Sequence, residues 1–98
     1  MLSDKELQIR ESLADEDYRE LLATEHVNTT LALQIRKLRE RRQWSQRDLA
    51  EKLGKHQETI SQWEDPDYGR YTTKTMQAIA KAFDVALMQK FVSFSELA

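Results

Sequence analysis

The chain has very few residues that break helices. In 98 residues it contains two glycines and one proline, and none of them lies between Asp17 and Arg42. Sheets and hairpins need frequent turns, for which glycine and proline are the usual residues. A chain of this length forms one domain with at most a short appendage. The sequence therefore predicts a single soluble domain of the all-α class.

Several classes of protein are excluded by the sequence. No segment approaches the roughly 20 apolar residues that cross a bilayer, and the first residues, from Met1 to Glu6, lack the basic region and apolar core of a signal peptide. The chain has no cysteine, which excludes disulfides and thiol chemistry. A reducing, cytoplasmic location is therefore expected.

Neither a metal centre nor an active site is expected. His26 and His56 lie 30 positions apart and have no matching carboxylate cluster. Five N-terminal carboxylates are widely spread and have no base or nucleophile beside them: Asp4, Glu6, Asp15, Glu16 and Asp17. We expect a protein without enzymatic activity, metal or cofactor.

The net charge of −2 conceals an uneven distribution. Residues 1–28 carry three basic and eight acidic side chains, whereas residues 29–98 carry twelve basic and nine acidic ones. The first segment therefore has a net charge of −5 and the second a net charge of +3. This asymmetry suggests a basic working part behind an acidic arm.

The acidic arm contains two helix starts. Ser3 followed by Glu6 forms a capping-box pattern and predicts a short helix that ends near Leu13. Acidic residues at 15–17 then favour the positive end of a second helix. From Asp17 to Arg42 the pattern predicts one long helix or two nearly continuous ones, with the likeliest break at residues 28–30.

Residues 45–64 contain two short helical patterns separated by a tight turn. Ser45 with Asp48 three residues later is a helix start, and Gly54 suits the left-handed conformation that ends a helix. Proline at position 66 closes the second helix. The apolar residues that face the crossing of the two helices are Leu49, Ala50, Leu53, Ile60 and Trp63. This arrangement predicts helix-turn-helix geometry.

The second of these helices presents polar side chains to solvent. With Ile60 and Trp63 turned inward, the outward residues are Gln57, Glu58, Ser61 and Gln62. Amides at the front of a short exposed helix can pair bidentately with adenine in the major groove. The pattern indicates a helix that reads bases.

Two neighbouring features have a structural and a functional interpretation. Trp44 and Trp63 are interpreted as core residues rather than as platforms for stacking single strands. The basic run at positions 36, 37, 39, 41 and 42 spreads over several helix faces. Each of its members is as easily a solvated side chain as a contact to nucleic acid.

A last amphipathic helix is predicted from the spacing of Met76, Ile79, Ala80 and Phe83. The tail after it alternates apolar and polar residues from Met88 onward, which is typical of a strand. A lone strand has no ladder partner within its own chain, so pairing with a second copy is expected. The predicted dimerisation residues are Leu87, Met88, Phe91, Val92 and Phe94. Continuation of the last helix and irregular packing are the alternatives.

The motif residues resemble a known family. Ser45-Gln46-x-x-Leu49-Ala50-x-x-Leu53-Gly54-x-x-Gln57-x-Thr59-Ile60-Ser61-x-Trp63-Glu64 is similar to the helix-turn-helix of the Xre/Cro/C1-type phage-repressor-like regulators. Residues 34–44 resemble the first helix of that family, and residues 79–85 its closing helix. The likeness covers about residues 31–85. It implies a lambda-repressor-like fold and sequence-specific binding of double-stranded DNA by a homodimer at a palindromic site.

The resemblance implies a role for particular residues. Gln46 matches a position that contacts a phosphate and supports the recognition helix, and Gln57, Glu58 and Gln62 match base-reading positions. Lys55, Thr59 and, in the following loop, Arg70 are backbone candidates.

The sequence departs from the family pattern at three positions. Gln43 occupies a position where glycine is common. His56 replaces the usual Ser or Thr N-cap, although a protonated histidine could face a phosphate. Glu58 is an acid directed at a polyanion, and it could accept from a cytosine amino group or lower non-specific affinity.

These observations suggest three organisational units and three functions. The units are an acidic helical extension (1–28), a DNA-binding domain (29–85) and a dimerisation strand (86–98). The first function is a homodimeric transcriptional repressor, because so short a chain has no room for a ligand-sensing domain. The second is the antitoxin of a toxin–antitoxin pair, in which the acidic arm covers a small basic toxin. The third is a protein–protein adaptor.

Overall fold

The computed structural model describes residues 3–97, except for the side chains of residues 9, 10 and 12–14. These residues form six helices, which are α1 (Asp4–Ala14), α2 (Glu16–Arg41), α3 (Gln46–Leu53), α4 (Gln57–Trp63), α5 (Thr73–Ala82) and α6 (Phe94–Leu97). They belong to two compact units. One comprises the described residues up to Val27 and those from Lys90 onward, and the other is Asn28–Gln89. The predicted all-α class is confirmed.

Both helix starts of the acidic arm are present. The Glu6 amide donates to Ser3 Oγ at 3.2 Å, and the Tyr18 amide donates to Asp15 Oδ1 at 2.9 Å. Each hydroxyl or carboxylate satisfies one of the amides that a helix start leaves unpaired. In the first unit, the guanidinium of Arg19 also lies 5.0 Å from the ring centroid of Phe94.

The long second helix has no break at residues 28–30. Of the two arrangements that the sequence allows, the structure has the single helix, which continues to Arg41. The polar residues Asn28, Thr29 and Thr30 have poor helix propensity, but the difference is only about 0.7 kcal/mol per residue or less. Burial of Ala32 and Ile35 just beyond them is sufficient to hold the helix together.

The core lies in the second unit, around α3 and α4. Its buried side chains are Ile35, Leu49, Ala50, Ile60, Trp63, Ile79 and Phe83. Ala50 is only 3% exposed, as expected where α4 crosses close to α3. Trp44 stacks on Phe83 with 5.4 Å between ring centroids, so both tryptophans pack as predicted.

Helices α2, α3 and α5 end in the same way. A left-handed residue follows within two positions of each helix end, with φ of 57° at Gln43, 64° at Gly54 and 55° at Asp84. In each case the next amide bonds five residues back, as from Trp44 to the Arg39 carbonyl at 3.1 Å. These are Schellman motifs, which satisfy carbonyls that a helix end leaves free. Gln43 therefore makes without glycine the turn that the sequence pattern required.

The tail differs from the predicted strand. Residues 85–93 have no regular secondary structure, Phe94–Leu97 form one helical turn, and residues 3–97 contain no strand. At Phe94–Leu97 a helical turn therefore replaces the predicted strand. For the rest of the tail, pairing with a second copy stays a prediction, because an extended segment without a ladder partner leaves its backbone groups to water.

The left-handed turn at Gln43 gives a stability prediction. Left-handed geometry costs an L-residue roughly 1–2 kcal/mol that glycine avoids, and Gln43 is exposed. We expect Gln43→Gly to stabilise the protein by about 0.5–1 kcal/mol in urea unfolding. Gly54→Ala is the matched control, since no heavy atom lies within 4 Å of an added Cβ there. It should destabilise by a similar amount, and a destabilising Gln43→Gly would contradict the assignment.

Candidate nucleic-acid interface

Helix α4 has one buried and one exposed side. Ile60 is fully buried and Trp63 is 4% exposed, so the back of the helix is held in the core. The residues on its other side are all exposed: Gln57, Glu58, Ser61 and Gln62. The structure therefore brings together the three predicted base-reading residues on one solvent-facing surface, and the core holds the backbone that carries them.

The helix before it is held by its caps. The Asp48 amide donates to Ser45 Oγ at 3.0 Å, and the Ser45 amide donates to Asp48 Oδ2 at 2.7 Å. This reciprocal capping box fixes the start of α3. The Schellman turn at Gly54 then fixes its end, so only Lys55 and His56 connect it to α4. The two caps define where α3 begins and ends, and the short connection keeps the start of α4 close to the end of α3.

An ion pair holds the other end of α4. Arg39 of α2 donates to both carboxylate oxygens of Glu64, from Nε at 2.7 Å and from Nη2 at 2.9 Å. The side chains are only 14% and 5% exposed, respectively. The hydrogen bond with Glu64 raises the pKa of Arg39 above its ordinary value, although burial opposes this. The bidentate geometry makes the pair directional as well as strong.

The same pair connects the start of α3. Arg39 Nη1 donates to the Trp44 carbonyl at 2.9 Å, and Gln46 Nε2 lies 3.5 Å from Glu64 Oε1. Gln46 is half-buried and thus oriented by Glu64 at the edge of the exposed surface. Sequence reasoning missed this bracing role of Arg39. The sequence carries one signal for this role, because Glu64 is an acidic residue at the end of a helix that has a buried face.

The remaining predicted contact residues surround the front of α4. Lys55 and His56 are exposed in the turn, and Thr59 is half-buried. His56 is the N-cap of α4, but its side chain forms no capping hydrogen bond among the described residues. The imidazole is therefore available to contact a ligand at the start of α4.

The loop after α4 carries Arg70 on an aromatic support. The guanidinium of Arg70 lies 5.3 Å from the ring centroid of Tyr68, and Tyr68 packs edge-on against Tyr71 at 5.0 Å. The Tyr71 hydroxyl donates to the Trp63 carbonyl at the end of α4. Arg70 is exposed, so its charge is presented to solvent from a loop that is bonded to the end of α4.

Most of the basic run in α2 has partners inside the fold. Arg36 pairs with Glu40 at 2.9 Å, and Arg39 pairs with Glu64. Arg42 donates to the Phe83 carbonyl and lies 5.6 Å from the ring centroid of Trp44. Arg39 and Arg42 therefore bond to distant parts of the fold, whereas the Arg36 pair is exposed and local to one helix. The two remaining cations, Lys37 and Arg41, line a groove on another surface.

Other site types are not evident in residues 3–97. No group of three or more His, Cys, Asp or Glu side chains in this range is arranged to hold a metal ion. None of the helices in the same range has the length and apolar character needed to cross a membrane.

Comparison with known proteins agrees with this geometry. A family model described as helix-turn-helix matches residues 35–88. The chain belongs to the Xre/Cro/C1-type helix-turn-helix family. No curated protein and no solved structure matches the chain. Family membership supports DNA binding in transcriptional regulation, and double-stranded DNA is the partner that it implies.

The Arg39–Glu64 pair predicts a large cost for losing one partner. Arg39→Met leaves the Glu64 carboxylate nearly buried and without its cation, so we expect a loss of about 2–4 kcal/mol in urea unfolding. Arg36→Met is the matched control on the same helix. Its ion pair is 61% and 53% exposed and should contribute less than about 0.5 kcal/mol. Equal losses in the two variants would show that the Arg39–Glu64 pair does not brace the motif.

We expect the ionisation of Tyr71 to make the stability of the protein depend on pH in the alkaline range. Burial, followed by nearby charges, raises the pKa of Tyr71 to about 12 from 10.0. The folded state therefore holds the phenolic proton more tightly than the unfolded state does. This contribution is complete below pH 10 and is lost as the pH rises towards 12. The difference in unfolding free energy between wild type and Tyr71→Phe should accordingly shrink over that range. A difference that stays constant to pH 12 would contradict the raised pKa of Tyr71 in the folded state.

Proposed function

We propose that the protein is a homodimeric repressor that recognises a palindromic operator through the major groove. The observation that carries this proposal is the two-sided α4, which exposes Gln57, Glu58 and Gln62 while Ile60 and Trp63 anchor it in the core. A helix whose back is buried in the core and whose C-terminal end is held by the Arg39–Glu64 pair positions its front with little loss of entropy on binding. Occupancy of the operator would exclude polymerase from the promoter.

The proposed contacts divide into reading and positioning. Gln57 and Gln62 pair with base edges, for which adenine suits the amide geometry. Lys55, His56 and Arg70 contact phosphates, while Thr59 and Gln46 add neutral hydrogen bonds to the backbone. Gln46 acts from the position in which Glu64 holds it, at 3.5 Å.

Glu58 has a negative role in this scheme. Its exposed carboxylate at the start of α4 is repelled by phosphates, so it weakens binding to unrelated DNA. Opposite a cytosine, it accepts from the exocyclic amino group. We infer that Glu58 increases the ratio of specific to non-specific affinity.

We assign the segments on the same basis. Residues 29–85 bind DNA, residues 86–98 dimerise, and residues 1–28 form an acidic arm. A dimer places two copies of α4 in successive major grooves, about one helical turn apart.

The reading role of Gln57 predicts a loss of both affinity and selectivity. An operator is first selected from random duplexes, and binding is then measured by fluorescence anisotropy against a scrambled duplex. We expect Gln57→Ala to cost about 1–3 kcal/mol on the selected duplex and to relax the preference at one base pair. Gln77→Ala, an equally exposed glutamine on α5, is the matched control and should change neither. Equal weakening on both duplexes would contradict base reading.

A second function, that of an antitoxin, is favoured by the surface of the acidic arm. Its exposed large apolar side chains include Leu7, Tyr18, Leu21 and Val27, and they lie among exposed acids such as Glu20 and Glu25. Apolar patches with a charged rim mark protein interfaces, and this charge suits a basic partner. Co-purification with a small basic protein encoded beside this gene would support the antitoxin function. Retention of that partner by a Leu7→Ser/Tyr18→Ser/Leu21→Ser variant would exclude the arm as its binding surface.

A further inference from the structure

An apolar groove lies on the second unit, away from α3 and α4. Its walls come from α2 and α5, with Ile35 and Leu38 on one side and Met76 and Ile79 on the other. Val85 and Leu87, just after α5, form its end. The groove has a volume of about 370 Å³ and is partly open to solvent. None of its lining residues belongs to the proposed DNA surface.

The chain that leaves this groove carries unburied apolar side chains. Met88 is 82% exposed and Phe91 is 107% exposed, so the phenyl ring of Phe91 is in full contact with water. Val92 and Phe94 are exposed as well. Large apolar side chains grouped in this way mark an interaction surface rather than ordinary surface variation.

We propose that two copies of this chain form a dimer in which the groove of each copy receives Met88 and Phe91 from the tail of the other copy. The proposal rests on the proposed function, whose dimer it specifies. A two-fold dimer uses the same patch on both copies, and this exchange covers both grooves and both tails at once.

The size of the groove suits this occupant. A cavity of roughly 150 Å³ accommodates a benzene ring, so 370 Å³ accommodates a phenyl ring together with a methionine side chain. Each phenylalanine can bury about 150–250 Å². The two Phe91 side chains, which are fully exposed in the single chain, therefore bury about 300–500 Å² between them, twice the range for one phenylalanine. The groove walls that they cover add to this area.

The charges agree with the same occupant. Lys37 and Arg41 are exposed at the groove and form no ion pair with any residue of 3–97 for which side chains are described. The tail carries an exposed acid, Glu96, two residues after Phe94. The tail also carries a cation, Lys90, directly before Phe91. Attraction of Glu96 to Lys37 and Arg41 therefore orients the tail along the groove, with Lys90 away from these two cations.

The interface test uses the absence of cysteine from the full chain. Chains with Gln34→Cys, on the groove, are mixed with chains with Lys90→Cys, beside Phe91, and joined with a short bis-maleimide in the absence of DNA. We expect the mixed cross-link to form in preference to either homotypic one. Dominant Lys90→Cys homotypic cross-links would show tail-to-tail pairing and overturn the proposal. Cross-linking within single chains that carry both substitutions would show that each groove takes its own tail, which also overturns it.

Sedimentation equilibrium of the full chain gives the energetic test. Phe91→Glu should raise the dimer dissociation constant at least ~30-fold, the effect of losing a buried aromatic anchor. Gln89→Glu adds the same charge at an exposed polar position and should change the constant less than about threefold. Equal effects, or a wild-type chain that stays monomeric, would overturn the proposal.

The outcome is separate from that of the proposed function. A dimer that discriminates the selected duplex but does not form the mixed cross-link would overturn only the exchange of tails. A dimer with the mixed cross-link that binds no duplex would support the exchange and overturn DNA recognition.

Discussion

The bidentate bond between Arg39 and Glu64 is the constraint on which the motif depends. It joins the last turn of α2 to the residue that ends α4, and through the Trp44 carbonyl and Gln46 it reaches the start of α3. Three helix ends therefore meet at one nearly buried carboxylate. An apolar contact of similar area would hold them together but would not define their orientation, because the hydrophobic effect has no direction. A charge-assisted bidentate bond defines both distance and angle.

The use of arginines inside the fold limits the electrostatic contribution to DNA binding. Three arginines of the basic run at residues 36–42 have intramolecular partners, and Glu58 places a negative charge on the exposed side of α4. Among the predicted contact residues, the only lysine and arginine are Lys55 and Arg70. Since affinity depends on salt through the number of phosphates neutralised, binding by this protein should be only moderately sensitive to salt. In the proposed function, the selectivity of binding therefore depends on the exposed amides of α4.

The sequence predicts the local structure of the motif well because its signals are local. Ser45 with Asp48 and the left-handed Gly54 define α3 from residues within a few positions of each other, and the spacing of Ile60 and Trp63 defines the buried side of α4. The front of α4 follows from that assignment. Family membership could be proposed from the same residues, because the motif concentrates such signals in twenty positions.

What the sequence did not predict depends on contacts between distant positions or on a second chain. The pair of Arg39 and Glu64 joins residues 25 positions apart, and no periodicity marks it. The continuous α2 reflects the burial of Ala32 and Ile35, which outweighs weak propensity at residues 28–30. In the tail, alternation of apolar and polar residues indicated a strand, but pairing is a property of two segments, and one chain supplies only one. The apolar side chains are nevertheless where the sequence placed them, at the surface from Met88 onward.

In the proposed function, the exposed front of α4 makes the contact with DNA. This contact can be mapped with an ¹H–¹⁵N correlation spectrum, recorded as a selected duplex is added to the full chain. We expect the largest shift changes at residues 55–62 and smaller ones at Gln46 and Arg70, while the amide of Gln77 on α5 is unaffected. Largest changes within residues 4–27, or no change on saturation with the duplex, would contradict it.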